Sequence, residues 1–431
     1  MTQLFILRQQ KPTSSSCKCI IKLLISYHWQ RLSPIAYFNS ARAGKEKNEL
    51  SYAEAARWLV HIVGYDDCAL KKSTAYKEME RQTNKDSESP GEGWLGKLGV
   101  VYAEGSNLFE TLMLNLVVLK NGEDEIWAKE KPIWEQDAFH VREREKVTPP
   151  DNQSELFTFT SRQVLLLREG NRVTGYYAVF GIYFDPGSDV EQMTLRRGWN
   201  ERNQDSPYKP RKHDLSRFIW QEYASLFVQS EKDYRPGIVR WIARLKNIDD
   251  PLIERSKLIK FRTVGISYKS TQKSSVEQIA CDSLTFYSDL LSELGASWQT
   301  RIVDEIERCS QLAYEVGRLA IDISKAAGGD ADPAPAKEQL YYRFDEPFRK
   351  WLYGLDPKSN GADLQEKCLE WRENAQQIAR KLGKEMIDGA GEIAFVGRYV
   401  LEKIKGKEVK KHYSAPEAYN WYLFNIRKIY K

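Results

Sequence analysis

The last third of the chain repeats one pattern, with apolar residues every three or four positions over long stretches. Val276–Leu294, Ser297–Lys325, Lys337–Leu355 and Ala362–Met386 carry it, and a fifth helical segment lies near Pro416–Tyr430. Such stripes define amphipathic helices, and each must bury its apolar face against another element. The links are short, and Ala326–Pro335 (AAGGDADPAP) is a turn-rich linker between two of the helices. Short links set neighbouring helices antiparallel. The pattern therefore predicts a C-terminal helical (four-helix) bundle over residues 297–431.

The preceding residues read differently. Ser51–Tyr65 has Ala55, Leu59, Ile62 and Val63 on one helical face, and Asn107–Leu119 reads as an apolar helix with Asn107 as its N-cap. Phe157–Arg168 and Arg172–Phe184 are rich in β-branched and aromatic residues, and Glu169-Gly170-Asn171 fits a hairpin turn between them. Residues 199–212 are extended and broken by prolines, whereas His213–Gln229 and Pro236–Lys246 read as helices. The expected fold class is α+β. An atypical N-terminus (1–30) precedes a mixed domain with β-hairpins and helices (31–296), and the bundle follows.

Composition excludes several classes. The net charge of +5 over 431 residues is no polycation, but the charge is local. Residues 398–431 hold nine Lys or Arg against three Glu, which suits a subunit that offers one face to a polyanion. Six scattered cysteines form no CxxC pair, and only five histidines are present. That argues against a metal site or a disulfide framework and fits a reducing, cytoplasmic setting. No run of 18 apolar residues marks a transmembrane helix. The phosphate-loop motif and the Ser or Cys nucleophile signatures are missing. The glycines of Gly91–Gly96 follow no clear strand. Asp66-Asp67 and Asp249-Asp250 sit in loop-like contexts. Neither a catalytic residue nor a cofactor is expected.

Positive charge concentrates most between Arg255 and Lys273, with six basic residues and no acidic one. Within this stretch Phe261-Arg262-Thr263-Val264-Gly265-Ile266-Ser267-Tyr268 reads as a strand, with β-branched and aromatic residues near alternate positions. It leads into the polar segment Tyr268-Lys269-Ser270-Thr271-Gln272-Lys273-Ser274-Ser275. A strand that ends in a short basic loop can push a few side chains into a groove of a polyanion.

An ordered set of segments then resembles a known family. SYAEAARWLVHIVGYD (51–66), GWLGKLGVVYAEGSNLFETLMLNL (93–116), LFTFTSRQVLLLR (156–168), DSPYKPRKHD (205–214), RPGIVRWIARL (235–245), Val264–Asp282 and FDEPFRKWLYGL (344–355) follow one another as in CasA, the large subunit of the type I-E CRISPR surveillance complex Cascade. The resemblance implies a Gln wedge at a hairpin tip beside the protospacer-adjacent motif. Gly265, Tyr268, Gln272 and Glu277 match that pattern, with Lys269 and Lys273 flanking the wedge to hold phosphates. A long, polar, uncharged side chain suits this role, because it can enter a base stack without burying an ion. The resemblance further implies a glycine loop at the minor groove, matched by Asn39 and Gly44, and a lysine-bearing loop, matched by Lys146. It implies double-stranded DNA, guide RNA, the other Cascade subunits and a recruited nuclease-helicase as partners. Family members usually carry more residues before the Ser33 region, so a shortened N-terminus is expected. Relatives' zinc-binding cysteines are missing, and no metal is expected. Two other readings stay open: a nucleic-acid-acting enzyme such as a nuclease, and an RNA-binding scaffold.

Overall fold

The computed structural model describes residues 49–65, 92–119, 131–135, 150–180, 190–198, 208–229, 234–248, 251–254, 256–269, 272–358, 361–404 and 407–430. In chain order the elements are β1 (Leu50–Ser51), α1 (Tyr52–Tyr65), β2 (Val100–Glu104), α2 (Leu108–Leu114), α3 (Gln153–Thr158), β3 (Arg162–Glu169), β4 (Arg172–Phe180), β5 (Leu195–Gly198) and β6 (Tyr208–Arg211). Then follow α4 (Tyr223–Phe227), α5 (Gly237–Asn247), β7 (Leu258–Lys269), β8 (Gln272–Tyr287), α6 (Ala296–Ala327), α7 (Ala334–Tyr353), α8 (Gly361–Asp388), α9 (Glu392–Val396), β9 (Arg398–Ile404), β10 (Lys407–Tyr413) and α10 (Ala415–Ile429). The fold is α+β, as the sequence predicts. Two compact units divide it: Met1–Ser216 with Gln229–Trp241 and Arg262–Asp282, and Arg217–Val228 with Ile242–Phe261 and Ser283–Lys431.

In the first unit the expected hairpin is present. β3 and β4 pair antiparallel, with Glu169 opposite Arg172 and Gly170 in the turn at φ +59°. β1 adds to the free side of β4. α1 lies on this sheet through Leu59, Ile62 and Val164. A second core gathers Trp94, Leu98, Ile133, Leu156, Phe159 and Val190. Asn107 caps α2 as expected, accepting from the Glu110 backbone N–H at 2.9 Å. This helix stops at Leu114 and does not reach Leu119. The Asn115 amide turns back to β2 instead: Ala103 N donates to its Oδ1 at 3.0 Å and its Nδ2 donates to Ala103 O at 2.6 Å.

The second unit is built on rings and long helices. Trp220, Tyr223, Phe227, Phe261, Phe286 and Phe348 are all nearly inaccessible to solvent. Trp220 and Phe348 stack at 4.4 Å, and Phe227 meets Phe286 at 4.9 Å and Phe261 at 5.1 Å. Each such side chain contributes about 1.5–3 kcal/mol by leaving water. The Trp220 indole N–H donates to Asp345 Oδ1 at 3.0 Å, so its one polar atom is satisfied. Helices α6, α7, α8 and α10 pack on one another as a four-helix bundle. Its interior holds a fully buried carboxylate. Glu305 Oε1 accepts from Arg308 at 2.7 Å and from Arg372 Nε and Nη2 at 2.8 and 2.7 Å. Burial, with the Glu305 charge adding to it, pushes the Cys368 thiol up to about 11.

Three further segments depart from the sequence expectation. Val276–Leu294 is not a helix, because β8 runs from Gln272 to Tyr287 and pairs with β7. His213–Gln229 is helical only from Ile219 to Phe227. There Asp214 Oδ1 accepts from Ser216 N at 3.1 Å and Ser216 Oγ at 2.6 Å, which makes a turn. Arg398–Tyr413 holds a two-stranded hairpin, β9–β10, that the helical pattern of the bundle did not reveal.

Glu305→Ala is expected to destabilise the protein by about 3 kcal/mol, because two arginines lose the acceptor that offsets their partial burial. Glu305→Gln keeps an acceptor and should lose less. Urea denaturation of the three proteins measures this, and an unchanged midpoint for the alanine variant would contradict it.

Candidate nucleic-acid interface

β7 and β8 are neighbours in a three-stranded sheet of order β2-β7-β8. Only Ser270 and Thr271 separate them. Parallel strands need a crossover of a dozen residues or more, so the pair is an antiparallel hairpin. Lys269 is the last residue of β7, Gln272 is the first of β8, and Lys273 follows. The structure thus brings three of the predicted site residues to one hairpin end.

That end is held close behind its tip. The Tyr268 hydroxyl donates to the Tyr65 backbone carbonyl at 2.7 Å. The Lys212 ammonium stands 5.2 Å from the centre of the Tyr268 ring and is ion-paired with Glu92. Gly96 lies against the ring, where a Cβ would come within 2.4 Å of the hydroxyl. Tyr268 is partly buried, and its hydroxyl ties β7 to the Tyr65 backbone. Tyr268 directly precedes Lys269, the last residue of β7. At the other end, Arg262 donates from Nε to Glu104 Oε2 of β2 at 2.6 Å. The two fixings are six residues apart, roughly 20 Å of strand.

The segment Arg211–Leu215 lies across β7 between them. His213 Nε2 donates to Val100 O at 3.0 Å. At Gly265 a Cβ would lie 3.3 Å from His213 Cβ and would press on the end of the Leu215 side chain, so glycine eases the close approach of this segment. Gly265 and Tyr268, which the sequence singles out, both lie at close contacts of β7 with its neighbours. Sequence reasoning missed Lys212, Tyr65 and Gly96 as its supports. All three fall within segments quoted above, but nothing in their spacing joins them to Tyr268.

Burial pushes the Glu92 carboxyl up, but the hydrogen bond and charge of Lys212 outweigh it and leave Glu92 below its ordinary value of 4.5. Asn39, Gly44 and Lys146 lie outside the described residues. Among the described residues no group of three or more His, Cys, Asp or Glu could hold a metal ion. No described helix is long and apolar enough to cross a membrane.

A mixed unit carrying this hairpin, together with a helical bundle, is the Cse1 fold. The crystal structure of Thermobifida fusca Cse1 superimposes with a TM-score of 0.74 at 26% identity, covering 92% of this chain and 74% of that one. Thermus thermophilus CasA gives 0.59 at 17% identity, covering 88% and 72%. A chain of a CRISPR RNA-guided surveillance complex gives 0.56 at 16%, covering 88% and 68%. The family model of CRISPR-associated protein Cse1 matches residues 24–382. The chain belongs to the Cse1 family. No protein of curated function matches the sequence.

The Glu92–Lys212 pair makes a pH prediction. A carboxyl lowered on folding adds stability that is fully present above its ordinary value and is lost as pH falls through the folded one. The wild type should melt higher than Glu92→Gln at neutral pH, and the gap should close below about pH 4.5 as Glu92 protonates. Melting curves from about pH 7 to about pH 3 test it; a gap constant across the range would contradict it.

Proposed function

We propose that the protein is the non-catalytic large subunit of a Cascade-type CRISPR surveillance complex in the cytoplasm. In this reading it recognises the protospacer-adjacent motif in double-stranded DNA and helps to open the strands for guide-RNA pairing. It then recruits a nuclease-helicase. The residues from 297 to 431 form a separable helical bundle that docks onto the complex and the displaced DNA. Family membership and the likeness to a chain of an RNA-guided surveillance complex support the assembly role.

One observation carries the recognition role. Gln272 follows directly on the connection of a hairpin that is anchored at Tyr268, with Lys269 on the other side of that connection. Phosphate contacts from Lys269 and Lys273 would hold the duplex, and an uncharged Gln272 would enter beside the motif. Base pairing to the guide then reads the sequence, a division of labour also used by another effector class.

Gln272→Ala should impair strand opening more than first contact with the duplex. Opening of supercoiled target in the assembled complex should slow roughly tenfold or more, since unstacking one base step costs a few kcal/mol. A target already bubbled beside the motif should rescue the variant. Equal defects on both substrates would sink the wedge assignment. Lys269→Ala and Lys273→Ala should each weaken duplex binding, lower the log–log salt slope by about 0.9 and leave the preferred motif unchanged. A shifted motif preference with the slope intact would reject the phosphate role.

A further inference from the structure

Strand β8 is weakly fixed by its own sequence. It pairs on one side with β7, and among the described strands none lies beyond it. None of Val276–Ser283 is buried, whereas Leu284 and Phe286 are. Register is specified by the burial of one face, and a strand left open on both faces can slip along its partner. The connection to β7, Ser270-Thr271, has neither the Gly nor the Asn that lock a two-residue turn. A slip of one residue would turn every side chain of β8 to the opposite face, including Gln272 at its start.

Helix α7 supplies a hold where the buried residues of β8 begin. Arg349 Nη1 donates to the Ser283 backbone carbonyl. Arg349 Nε donates to Asp345 Oδ1, one turn earlier on the helix, at 2.7 Å. The same oxygen accepts from the Trp220 indole N–H at 3.0 Å. Trp220 is fully buried and stacks on Phe348 at 4.4 Å. Arg349 Cζ lies 6.0 Å from the centre of the Phe218 ring. A guanidinium presents its donors in a rigid fork, so a carboxylate on one arm fixes where the other arm points. Here a buried indole fixes the carboxylate in turn.

An ion pair that served the bundle alone would join two of its helices, as Glu305 and Arg372 do, or lie along one helix in water, as Lys384 and Asp388 do. The Asp345–Arg349 pair lies along one helix but is mostly covered, and its other arm is directed at a strand backbone. We propose that Arg349 is a positioning residue for the candidate interface: it pins the register of β8 at Ser283 and so sets the face on which Gln272 emerges. The functional consequence rests on the wedge reading, but the pin itself is observable without DNA.

Hydrogen–deuterium exchange of the full chain, read by mass spectrometry, tests the pin. In Arg349→Ala the amides of Val276–Ser283 should exchange roughly tenfold faster, because the charge-assisted bond that holds the strand is lost. The stretch Ile302–Val316 of α6 should keep its protection, which a general loosening of the bundle would not allow. Arg349→Met, which keeps the aliphatic stem, should match the alanine variant. In the assembled complex both variants should slow opening of a supercoiled target, and a target already bubbled beside the motif should relieve the defect. Ser270→Asn with Thr271→Gly builds a turn that enforces register, and it should shrink the Arg349→Ala defect measured against the same background. Unchanged exchange over Val276–Ser283, an equal loss of protection in α6, or an opening defect that the new turn leaves intact would overturn the proposal. So would normal opening by Arg349→Ala where Gln272→Ala is slow. If Gln272→Ala is itself silent, the wedge reading falls, and exchange alone decides whether Arg349 pins β8.

Discussion

The bundle closes around one buried carboxylate, held through a single oxygen by two arginines. Glu305 has no exposure to water, and Oε1 takes the bonds from both Arg308 on its own helix and Arg372 on α8. An apolar residue there would pack as well or better, since a buried ion pair rarely adds net stability. What the carboxylate adds is a requirement on register. A slide of α8 by one turn, about 5.4 Å, would leave Arg372 out of reach. The rings of Phe344, Phe348 and Trp351 around Trp371, one residue before Arg372, depend on the same register.

The β7–β8 hairpin solves the opposite problem. A long ribbon is a poor device for presenting a few side chains, because a small bend at its base becomes a large displacement at its tip. Fixing Tyr268 to Tyr65, immediately behind Lys269, removes most of that lever arm. Preorganisation of this kind lowers the ordering cost of binding without adding a contact to the ligand.

Much of this was legible in the sequence where one local rule acted alone. The Asn107 cap, the turn at Gly170 and the 3.6-residue stripes of the bundle each follow from short-range chemistry. Reading failed where pairing decided the outcome. In β8 the spacing of Val276, Ile279, Ala280 and Leu284 imitates a helix, and an alternation of buried and partly buried residues is visible only from Ser283 to Tyr287. A ladder with β7 overrides the local signal. β9 and β10 are rich in lysine, so their two faces become evident only when Tyr399 is set opposite His412 and Arg398 opposite Tyr413. The supports of the candidate site were hidden for a similar reason: Tyr65, Gly96, Lys212 and Tyr268 are far apart in sequence and meet only in the fold.

The Asn115 side chain has a consequence for how the hairpin sheet can grow. By giving and receiving a hydrogen bond at Ala103, the amide stands in for a residue of a neighbouring strand along β2. Nearer the start of β2, Val101 N donates to Met193 O and Leu195 N donates to Gly99 O. The outer side of β2 is therefore closed along its length to strand addition, the route by which exposed sheet edges aggregate or recruit foreign peptides. Among the described strands none lies beyond β8. Any extension of this sheet by another chain would have to start at β8, next to the exposed Ile279.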